Sequence, residues 1–485
     1  MTKYHEIFKE ILKEITPTQR EIEFIKIIGN KLTKLLDNKA KELNLNYTKI
    51  EPQGSTGIKQ TQLRNDFDID LFVGLDYELY KSKYKGMSKS KLKKESKKDF
   101  LSLCNKWILP SLMEVEFHNP RLLYAEHPYV TVEYVSNHTK IKIDIVLYFN
   151  LDSKYINKNG PITAVDRSPW HGYFVRDKLN QTQKNEVRIL KQFFKSCYSY
   201  GDKSPVGKVG FIGYSAELLI YYFENLYNLF KNFNKLNSIS LDFFNRTEKE
   251  LKKIPHFQND HLIIIDPIDK NRNVASAISE RAYRYCNYKI SEFLKKPSIE
   301  FFKIEPIPEI DLSNKSDVDL SHTYIVEMQN NDKDIHYTIN RDKLYSLGES
   351  LIVNGEKEFS HAERFGNIIC DVYFEDEKDQ YNLTFYCEKP HISKTYDRRG
   401  PPTGEKNHVI NFKRKNPGFF EKNGYLWVRT SREYTDFIDY LNIFIQDKIP
   451  DNFAITNISI AFDTVNSSGK KAIYILQNMI LPFCT

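Results

Sequence analysis

The feature that constrains the fold most is a short stretch in which acidic and apolar residues alternate, Asp66–Val73. Successive side chains of a β-strand point to opposite faces. A strand over this stretch therefore has one face of carboxylates and one apolar face that belongs in a core. The carboxylate face holds Asp66, Asp68, Asp70 and Phe72, and the core face holds Phe67, Ile69, Leu71 and Val73.

A carboxylate cluster of this kind is unfavourable by itself, because like charges close together raise each other's pKa. A divalent cation removes the repulsion, and Mg²⁺ takes one or two protein carboxylates together with substrate phosphate oxygens. A third carboxylate, Asp144, lies on the polar face of the β-rich stretch Ile141–Leu147. Two aspartates on one strand and one on a neighbour can hold two metal ions for in-line phosphoryl transfer.

A Gly-Ser turn precedes the acidic stretch by about a dozen residues. Gly54 and Ser55 offer free backbone N–H groups and a hydroxyl, which are the groups that form phosphate-binding nests. An Asp-x-Asp pair alone is common on solvent-exposed strands. The turn and the pair together are a more specific pattern, and they predict a site for a nucleoside triphosphate.

Four other segments predict the local structure. Thr16-Pro17 is a candidate start for a helix, because proline is favoured at the first helical position. Residues 129–135 and 140–149 predict a hairpin joined at 136–139, and residues 183–229 have helical periodicity. Residues 81–98 contain nine lysines and one glutamate. We interpret them as a solvated helix or mobile loop in preference to an RNA contact.

Composition limits the class of protein. No stretch of the 485 residues approaches the ~20 apolar residues of a membrane span. The six cysteines are scattered, which favours a reduced, cytoplasmic protein. The net charge of +7 and the 31 Tyr and 32 Phe suit RNA, but an AT-rich genome produces a similar composition. Composition leaves these two explanations open.

The pattern of the Gly-Ser turn, the Asp-x-Asp pair and a later aspartate resembles that of the polymerase β-like nucleotidyltransferase superfamily. Further blocks are similar to the archaeal, class I CCA-adding enzymes in content and order over about residues 20–300, and the C-terminal third matches more loosely. These blocks are residues 124–130, 163–171, 185–191, 210–219 and 266–275.

The resemblance implies an α+β multidomain fold. It predicts a nucleotidyltransferase head with a mixed sheet (1–155), a helical neck that completes the nucleotide pocket (156–295), and an α+β body and tail that bind tRNA (296–485). The implied reaction adds or repairs the 3′-terminal CCA of tRNA from CTP and ATP without a nucleic-acid template, and it uses two Mg²⁺ ions. The implied partner is the acceptor stem and T-arm region of tRNA, and the family permits a homodimer.

The resemblance also assigns roles to residues. Asp68, Asp70 and Asp144 are the predicted catalytic and metal-binding residues. The predicted nucleotide-binding residues are Gly54, Ser55, Lys59, Ser168, His171, Lys191, Tyr200 and Arg272, of which Arg272 reads the incoming base. On sequence alone, Lys191 could equally lie on the solvated side of a helix, and His171 could be a packed structural histidine. Basic residues beside aromatic ones in the tail are predicted RNA contacts, namely Lys394, Arg398, Arg399, Lys413 and Arg414.

Two alternatives stay open on the sequence. Another template-independent RNA nucleotidyltransferase, such as a poly(A) or oligo(U) polymerase or an oligoadenylate synthase, would share the carboxylates but use CTP differently. A catalytically silent RNA-binding protein on the same fold would be expected to have lost an acidic ligand, and all three are present. A purely structural protein gives no reason for three aspartates opposite a core face.

Overall fold

The computed structural model of the protein describes residues 2–113, 116–124, 127–136, 139–312, 320–358, 360–375, 379–461 and 464–484. The chain divides into two compact units. The first contains residues 1–201 and 209–305, and the second contains residues 202–208 and 306–485. The three-domain division stays a prediction. None of the described helices is both long and apolar enough to cross a membrane.

The first unit is built on a five-stranded mixed sheet in the order β1-β2-β5-β4-β3. The central strands β2 and β5 run parallel, and the other neighbours are antiparallel. Parallel strands need a crossover connection, and here β3 and β4 lie between them in the chain. The strands are β1 (Lys49–Gln53), β2 (Ile69–Leu75), β3 (Phe117–Tyr124), β4 (Pro128–Ser136) and β5 (Thr139–Phe149).

The predicted apolar faces of β2 and β5 form the centre of a core. Ile69, Leu71 and Val73 on β2 and the alternating Ile143, Ile145 and Leu147 on β5 are all completely buried. Full burial of such side chains contributes roughly 1.5–3 kcal/mol each. The same core contains Trp107, whose indole N–H donates to the Leu36 carbonyl at 2.8 Å. The core side of the sheet is thus fixed by alternation in the sequence.

The acidic strand is shorter than the sequence predicts. It begins at Ile69, not at Asp66. Asn65 has a left-handed backbone (φ 58°), and Asp66 forms an isolated bridge with Leu63 and an ion pair with Lys195. The turn at Asn65 takes Asp66 out of the ladder, and Asp68 also precedes the strand. The prediction that Asp66 and Asp68 share a strand face with Asp70 is therefore wrong.

The predicted hairpin is confirmed, because β4 and β5 pair antiparallel from Tyr129 with Val146 to Ser136 with Thr139. Its connection at residues 137–138 lies outside the described residues. The predicted helix start at Thr16-Pro17 is two residues too early. The cap is Thr18, whose side chain accepts from the Glu21 N–H while Glu21 accepts from the Thr18 N–H, which together form a capping box.

Helices surround this sheet and fill the rest of the first unit. The lysine-rich segment 81–98 runs through α3 and α4. The predicted helical region 183–229 contains α7, α8 and part of α9, but residues 197–212 are turns and extended chain, so the helical prediction is wrong there. A small parallel pair, β6 (Ser240–Leu241) and β7 (Ile263–Ile264), lies among the later helices. The helices are α1 (Thr2–Ile15), α2 (Gln19–Glu42), α3 (Glu78–Tyr84), α4 (Lys89–Leu103), α5 (Ser153–Asn159), α6 (Ser168–Lys178), α7 (Gln181–Ser196), α8 (Gly213–Phe223), α9 (Leu226–Asn232), α10 (Glu248–Lys252) and α11 (Glu280–Lys295).

The second unit contains two antiparallel sheets. The larger has the order β14-β8-β10-β9, and the smaller has the order β11-β13-β12. Together with the first unit this confirms an α+β fold with a mixed sheet. The elements are β8 (Thr323–Asn330), α12 (Tyr337–Glu356), β9 (Ile368–Phe374), β10 (Gln380–Cys387), β11 (Thr395–Pro402), α13 (Lys406–Lys415), β12 (Phe419–Lys422), β13 (Tyr425–Ser431), α14 (Phe437–Lys448), β14 (Phe453–Ile460) and α15 (Ser467–Ile475).

Candidate active site

The Gly54 turn lies directly against the carboxylate of Asp70. Gln53, the last residue of β1, pairs with Asp70 in the ladder, and the chain then turns through Gly54 with φ of 67°. A Cβ at position 54 would overlap the Asp70 Oδ2 atom. Both the positive φ and the contact therefore require glycine. Ser55 begins the helical turn Ser55–Lys59 that follows.

Asp70 and Asp144 are partners on the adjacent parallel strands β2 and β5. Burial, together with the charges of Asp144 and Asp68, raises the pKa of Asp70 to about 6. The charges of Lys142 and Lys59 oppose this rise but are the smaller effects. Asp144 Oδ2 accepts from Lys142 Nζ at 2.8 Å, while its Oδ1 atom is buried without a hydrogen-bond partner among the described residues. The two carboxylates thus have too little positive charge around them.

This carboxylate set fits a divalent cation. Among the described residues, no three His, Cys, Asp or Glu side chains form a complete metal centre. Mg²⁺ does not require one, because it completes its shell with water and substrate phosphate oxygens. The unpaired Asp144 Oδ1 and the raised pKa of Asp70 are the features that a bound cation would relieve.

A cavity of about 400 Å³ opens over this carboxylate pair. Ser168 lies at the start of α6, and His171 is on its first turn. Apolar side chains such as Phe72 and Val146 form part of the wall. The structure thus brings six of the predicted residues to one cavity, namely Gly54, Lys59, Asp70, Asp144, Ser168 and His171.

Two of the predicted residues, Lys59 and Lys191, meet at a buried carboxylate that the sequence pattern did not indicate. Lys59 Nζ donates to Glu217 Oε2 at 2.7 Å, and Lys191 Nζ lies 3.7 Å from Glu217 Oε1. Lys191 also donates to the backbone carbonyl and the hydroxyl of Thr61, both at 3.0 Å, and the Thr61 hydroxyl donates to Glu217 at 2.7 Å. Lys191 is only 3% exposed, so the solvated alternative for this residue is wrong.

Burial and the charges of this cluster shift the pKa values of Lys191 and Glu217. Burial lowers the pKa of Lys191 to about 8, and Lys59 and Arg188 add to the effect while Glu217 opposes it. Burial by itself would raise the pKa of Glu217, but Lys59 and Lys191 outweigh it and hold that pKa below its ordinary value. At neutral pH the cluster therefore contains an ionised Glu217 carboxylate and a charged Lys191 ammonium group.

A second buried carboxylate, Asp266, organises the other side of the cavity. It accepts from His171 Nε2 at 2.7 Å, from Arg272 Nη1 at 2.9 Å and from the Tyr214 hydroxyl at 3.2 Å. The His171 ring stacks on Tyr214 with centroids 4.1 Å apart. Burial would raise the pKa of Asp266, but His171 and Arg272 bring it well below its ordinary value. His171 is thus both packed and part of the cavity wall.

Tyr200 lies beyond Lys191, at an isolated bridge with Phe211. The Tyr200 hydroxyl and the Lys191 side chain both converge on Gly213, where an added Cβ would lie 3.3 and 3.4 Å from them. Lys195, one turn after Lys191 on α7, lies over the Tyr200 ring at 5.5 Å. Tyr200 therefore belongs to the same cluster as Lys191, although it does not line the cavity.

The predicted RNA-binding residues lie on or just before β11 and on α13 of the second unit. Three of them stack on aromatic rings: Arg398 on Phe412 at 5.3 Å, Arg399 on Tyr425 at 4.3 Å, and Lys413 on Phe419 at 4.6 Å. Lys394 and Arg414 are exposed. α13 has no buried residue, so this face is a surface of basic and aromatic groups.

Sequence reasoning missed Glu217 and Asp266 as parts of the site. A lone glutamate in the apolar run of α8, GYSAELLIYYF, is a signal that could have been used, because a charge in such a run needs a partner. Asp266 lies in a loop before Arg272 and has no local pattern that indicates its role. Both become visible only through partners that are distant in the chain.

Comparison with known proteins identifies the family of the chain. The family model described as tRNA nucleotidyltransferase, second domain, matches residues 185–303. The CCA-adding enzyme of Methanocaldococcus jannaschii is 31% identical over 90% of this chain and 89% of its own length. That of Methanococcus maripaludis is 30% identical over 89% of each chain.

Among solved structures, the RNA terminal uridylyl transferase Cid1 is similar with a TM-score of 0.45 and 15% identity, over 64% of this chain and 99% of that one. That likeness carries no functional argument, whereas the identity to the archaeal sequences extends over nearly the whole length of both proteins. The chain therefore belongs to the CCA-adding enzyme family of tRNA nucleotidyltransferases.

Proposed function

We propose that this protein adds or repairs the 3′-terminal CCA of tRNA, using CTP and ATP and no nucleic-acid template. The observation that carries the proposal is the Asp70–Asp144 pair on adjacent strands, at the base of a cavity that also contains Lys59 and His171. Family membership supports the proposal as well, because the relatives that match nearly the whole length of this chain are named CCA-adding enzymes.

In this proposal Asp68, Asp70 and Asp144 hold two Mg²⁺ ions. When bound, these cations supply charge neutralisation for the phosphate groups and for the carboxylates themselves. The RNA 3′-hydroxyl oxygen forms a bond to the α-phosphorus of the nucleotide, and the bond from that phosphorus to the pyrophosphate breaks. The proton of the hydroxyl is lost to solvent or to a basic group at the site.

The other residues bind and orient the nucleotide. The backbone N–H groups after Gly54 and the Ser55 hydroxyl contact the triphosphate, and Lys59 and Lys191 supply positive charge to it. Ser168 and His171 on α6 contact triphosphate or sugar from the opposite wall. Tyr200 acts with Lys191, and Arg272, held by Asp266, contacts the incoming base. Because a guanidinium is a planar fork of donors, it suits the acceptor-rich edge of cytosine.

The basic and aromatic surface of the second unit is proposed to bind tRNA. Lys394, Arg398, Arg399, Lys413 and Arg414 would contact phosphates, and the exposed rings beside them would contact unpaired bases. Acceptor-stem and T-arm contacts, and a homodimer, stay predictions.

The test is nucleotide incorporation on a tRNA transcript that lacks CCA, with labelled CTP and ATP, Mg²⁺ and an Asp70→Ala control. Two C residues followed by one A, abolished in the control, are the expected result. Runs of A on arbitrary RNA would instead indicate a polymerase, and tRNA binding without incorporation would indicate a silent binding protein. A tRNA that already ends in CCA is the matched substrate control.

A further inference from the structure

The buried Glu217 contacts both lysines of the proposed triphosphate site, although it does not line the cavity itself. Its side chain is 1% exposed, and it bonds Lys59, Thr61 and, more loosely, Lys191. We propose that Glu217 is a positioning residue that aligns Lys59 and keeps Lys191 charged for binding of the nucleoside triphosphate. This inference rests on the function proposed above.

The charge balance shows why such a residue is needed. Lys59 and Lys191 are 11% and 4% exposed at their side chains, and Arg188 lies one turn from Lys191 on α7. Three buried cations so close to one another repel and favour loss of a proton. The carboxylate of Glu217 between the two lysines reduces the repulsion between their ammonium groups, and the cluster still has a net positive charge. That residual charge faces the cavity through Lys59, where a triphosphate would bring negative charge.

The geometry also links the cluster to the acidic strand. Arg188 donates to the carbonyls of Gln60 and Gln62, and Lys191 donates to that of Thr61. Three consecutive carbonyls of the loop between the Gly54 turn and β2 are therefore held by α7. Glu217 closes this arrangement from α8 through the Thr61 hydroxyl. Its carboxylate thus joins the loop that carries Lys59 to the helix that carries Lys191.

The pH dependence of nucleotide binding separates this role from a merely structural one. The charged or titratable groups that face Lys191 are Glu217 on α8, Lys59 in the turn, Arg188 on α7 and the Tyr200 hydroxyl. Of these, Glu217 favours the ammonium form. Its neutralisation therefore lowers the pKa of Lys191, and the loss of triphosphate affinity on the alkaline side begins at a lower pH.

The experiment measures kcat and KM for ATP with a tRNA that ends in CC, between pH 6 and 9.5, for wild type, Glu217→Gln and Glu217→Asp. We expect Glu217→Gln to raise KM about tenfold at pH 8, the loss of one charge-assisted interaction, with kcat changed less. Its alkaline rise in KM begins at lower pH than in wild type. Glu217→Asp keeps the charge, so its pH profile follows wild type even where its KM is raised.

Glu186→Gln is the matched control. Glu186 is a partly buried glutamate on α7 whose carboxylate accepts from the Leu226 N–H, so its KM and pH profile should equal those of wild type. Thermal melts establish that each variant is folded. If Glu217→Gln does not fold, Glu217→Asp decides the test, because its shorter side chain should raise KM through the lost contact with Lys59, and an unchanged KM would overturn the inference. A lowered Tm with unchanged KM and pH profile would overturn the inference. An inactive wild type would instead overturn the proposed function.

Discussion

Two pairs of acidic side chains in the first unit differ in how far the surrounding groups compensate their negative charge. On the sheet, Asp70 and Asp144 lie side by side, and the pKa of Asp70 is raised to about 6. Among the helices and their loops, Glu217 and Asp266 are more deeply buried, at 1% and 0% exposed against a partly exposed sheet pair, yet the pKa of each is lowered. Burial by itself would raise the pKa of a carboxylate, so the difference lies in the partners.

The partners show what each group is for. Asp266 accepts from the side chains of His171, Arg272 and Tyr214 and from the Ile268 N–H, and Glu217 has two lysines and a hydroxyl, so both are satisfied without a ligand. Asp144 has one half-exposed lysine and, among the described residues, an unpaired oxygen. An undercompensated carboxylate pair is costly in a folded protein and marks a functional site, whereas a compensated one organises the residues around it.

The largest expected effect comes from removing a carboxylate of the sheet pair. Asp70→Asn should lower the rate of nucleotide incorporation about 1000-fold or more, since it removes a ligand of the proposed Mg²⁺ ions that would neutralise the reacting phosphate. The same change relieves repulsion with Asp144, so Tm without metal should stay equal or rise. Single-turnover incorporation and thermal melts measure the two effects. Lost activity that merely follows a lowered Tm would contradict the comparison.

Removing a compensated carboxylate should have the opposite pattern. Asp266→Ala leaves His171 and Arg272 without their acceptor, and breaking such a buried pair typically costs about 3–5 kcal/mol of unfolding free energy. Urea unfolding measures that cost. Asp266→Asn keeps the shape and part of the hydrogen bonding, so it serves as the milder companion variant. Equal stability of Asp266→Ala and wild type would remove the distinction between the two groups.

The Gly54 turn sharpens the comparison at the sheet side. In Gly54→Ala the new methyl group meets Asp70 Oδ2 and the residue keeps a positive φ, which costs about 1–2 kcal/mol in an L-residue. We expect the rate of nucleotide incorporation to fall by more than this loss of stability explains, because the new methyl group displaces the Asp70 carboxylate. Gly86→Ala is a control with φ of 77° and open space around its Cβ position. Similar activity losses in both variants would contradict this account.

The pH dependence of stability tests the sheet pair directly. Asp70 has a pKa of about 6 in the folded protein against an ordinary 3.8, so the folded state binds more protons between these values. Its contribution to the free energy of unfolding therefore falls as pH rises from about 4 to 6, and the cost is fully present above pH 6. Asp166, whose pKa burial also raises to about 6, titrates in the same range.

The measurement is therefore the difference in unfolding free energy between Asp70→Asn and wild type, without metal, at pH 4.5 and pH 7. Relative to wild type, the variant should be more stable at pH 7 than at pH 4.5. Added Mg²⁺ should reduce this relative gain in stability at pH 7. A difference that does not depend on pH would show that Asp70 is not under repulsion.

The smallest expected effect is at Lys142. Its ammonium group pairs with Asp144 but its side chain is about half exposed, and such pairs contribute roughly 0–1 kcal/mol. Lys142→Met should therefore change the unfolding free energy by less than about 1 kcal/mol, as measured by urea unfolding. A loss near that of Asp266→Ala would mean that the sheet pair is compensated after all.

The sequence was sufficient for features that depend on neighbours in the chain. Alternation in residues 69–75 and 141–147 placed the core faces, and the Gly54-Ser55 turn and the aspartates are recognisable from the order of the residues alone. The alternating pattern predicted a strand that begins too early, at Asp66. The pattern does not show the left-handed turn at Asn65, which takes Asp66 out of the strand. The preference for proline at the first helical position also predicted a helix that begins at Pro17, whereas the helix begins two residues later, at Gln19.

Tertiary structure decided what depends on residues far apart in the chain. The parallel register that sets Asp70 beside Asp144 joins positions on either side of β3 and β4, and Glu217 meets Lys59 across 158 positions. Whether a buried carboxylate is compensated depends on which donors the fold brings to it, and electrostatic energy depends on distance in space. The sequence therefore determined which residues carry the charges, and only the packed structure determined which of those charges are left for a substrate.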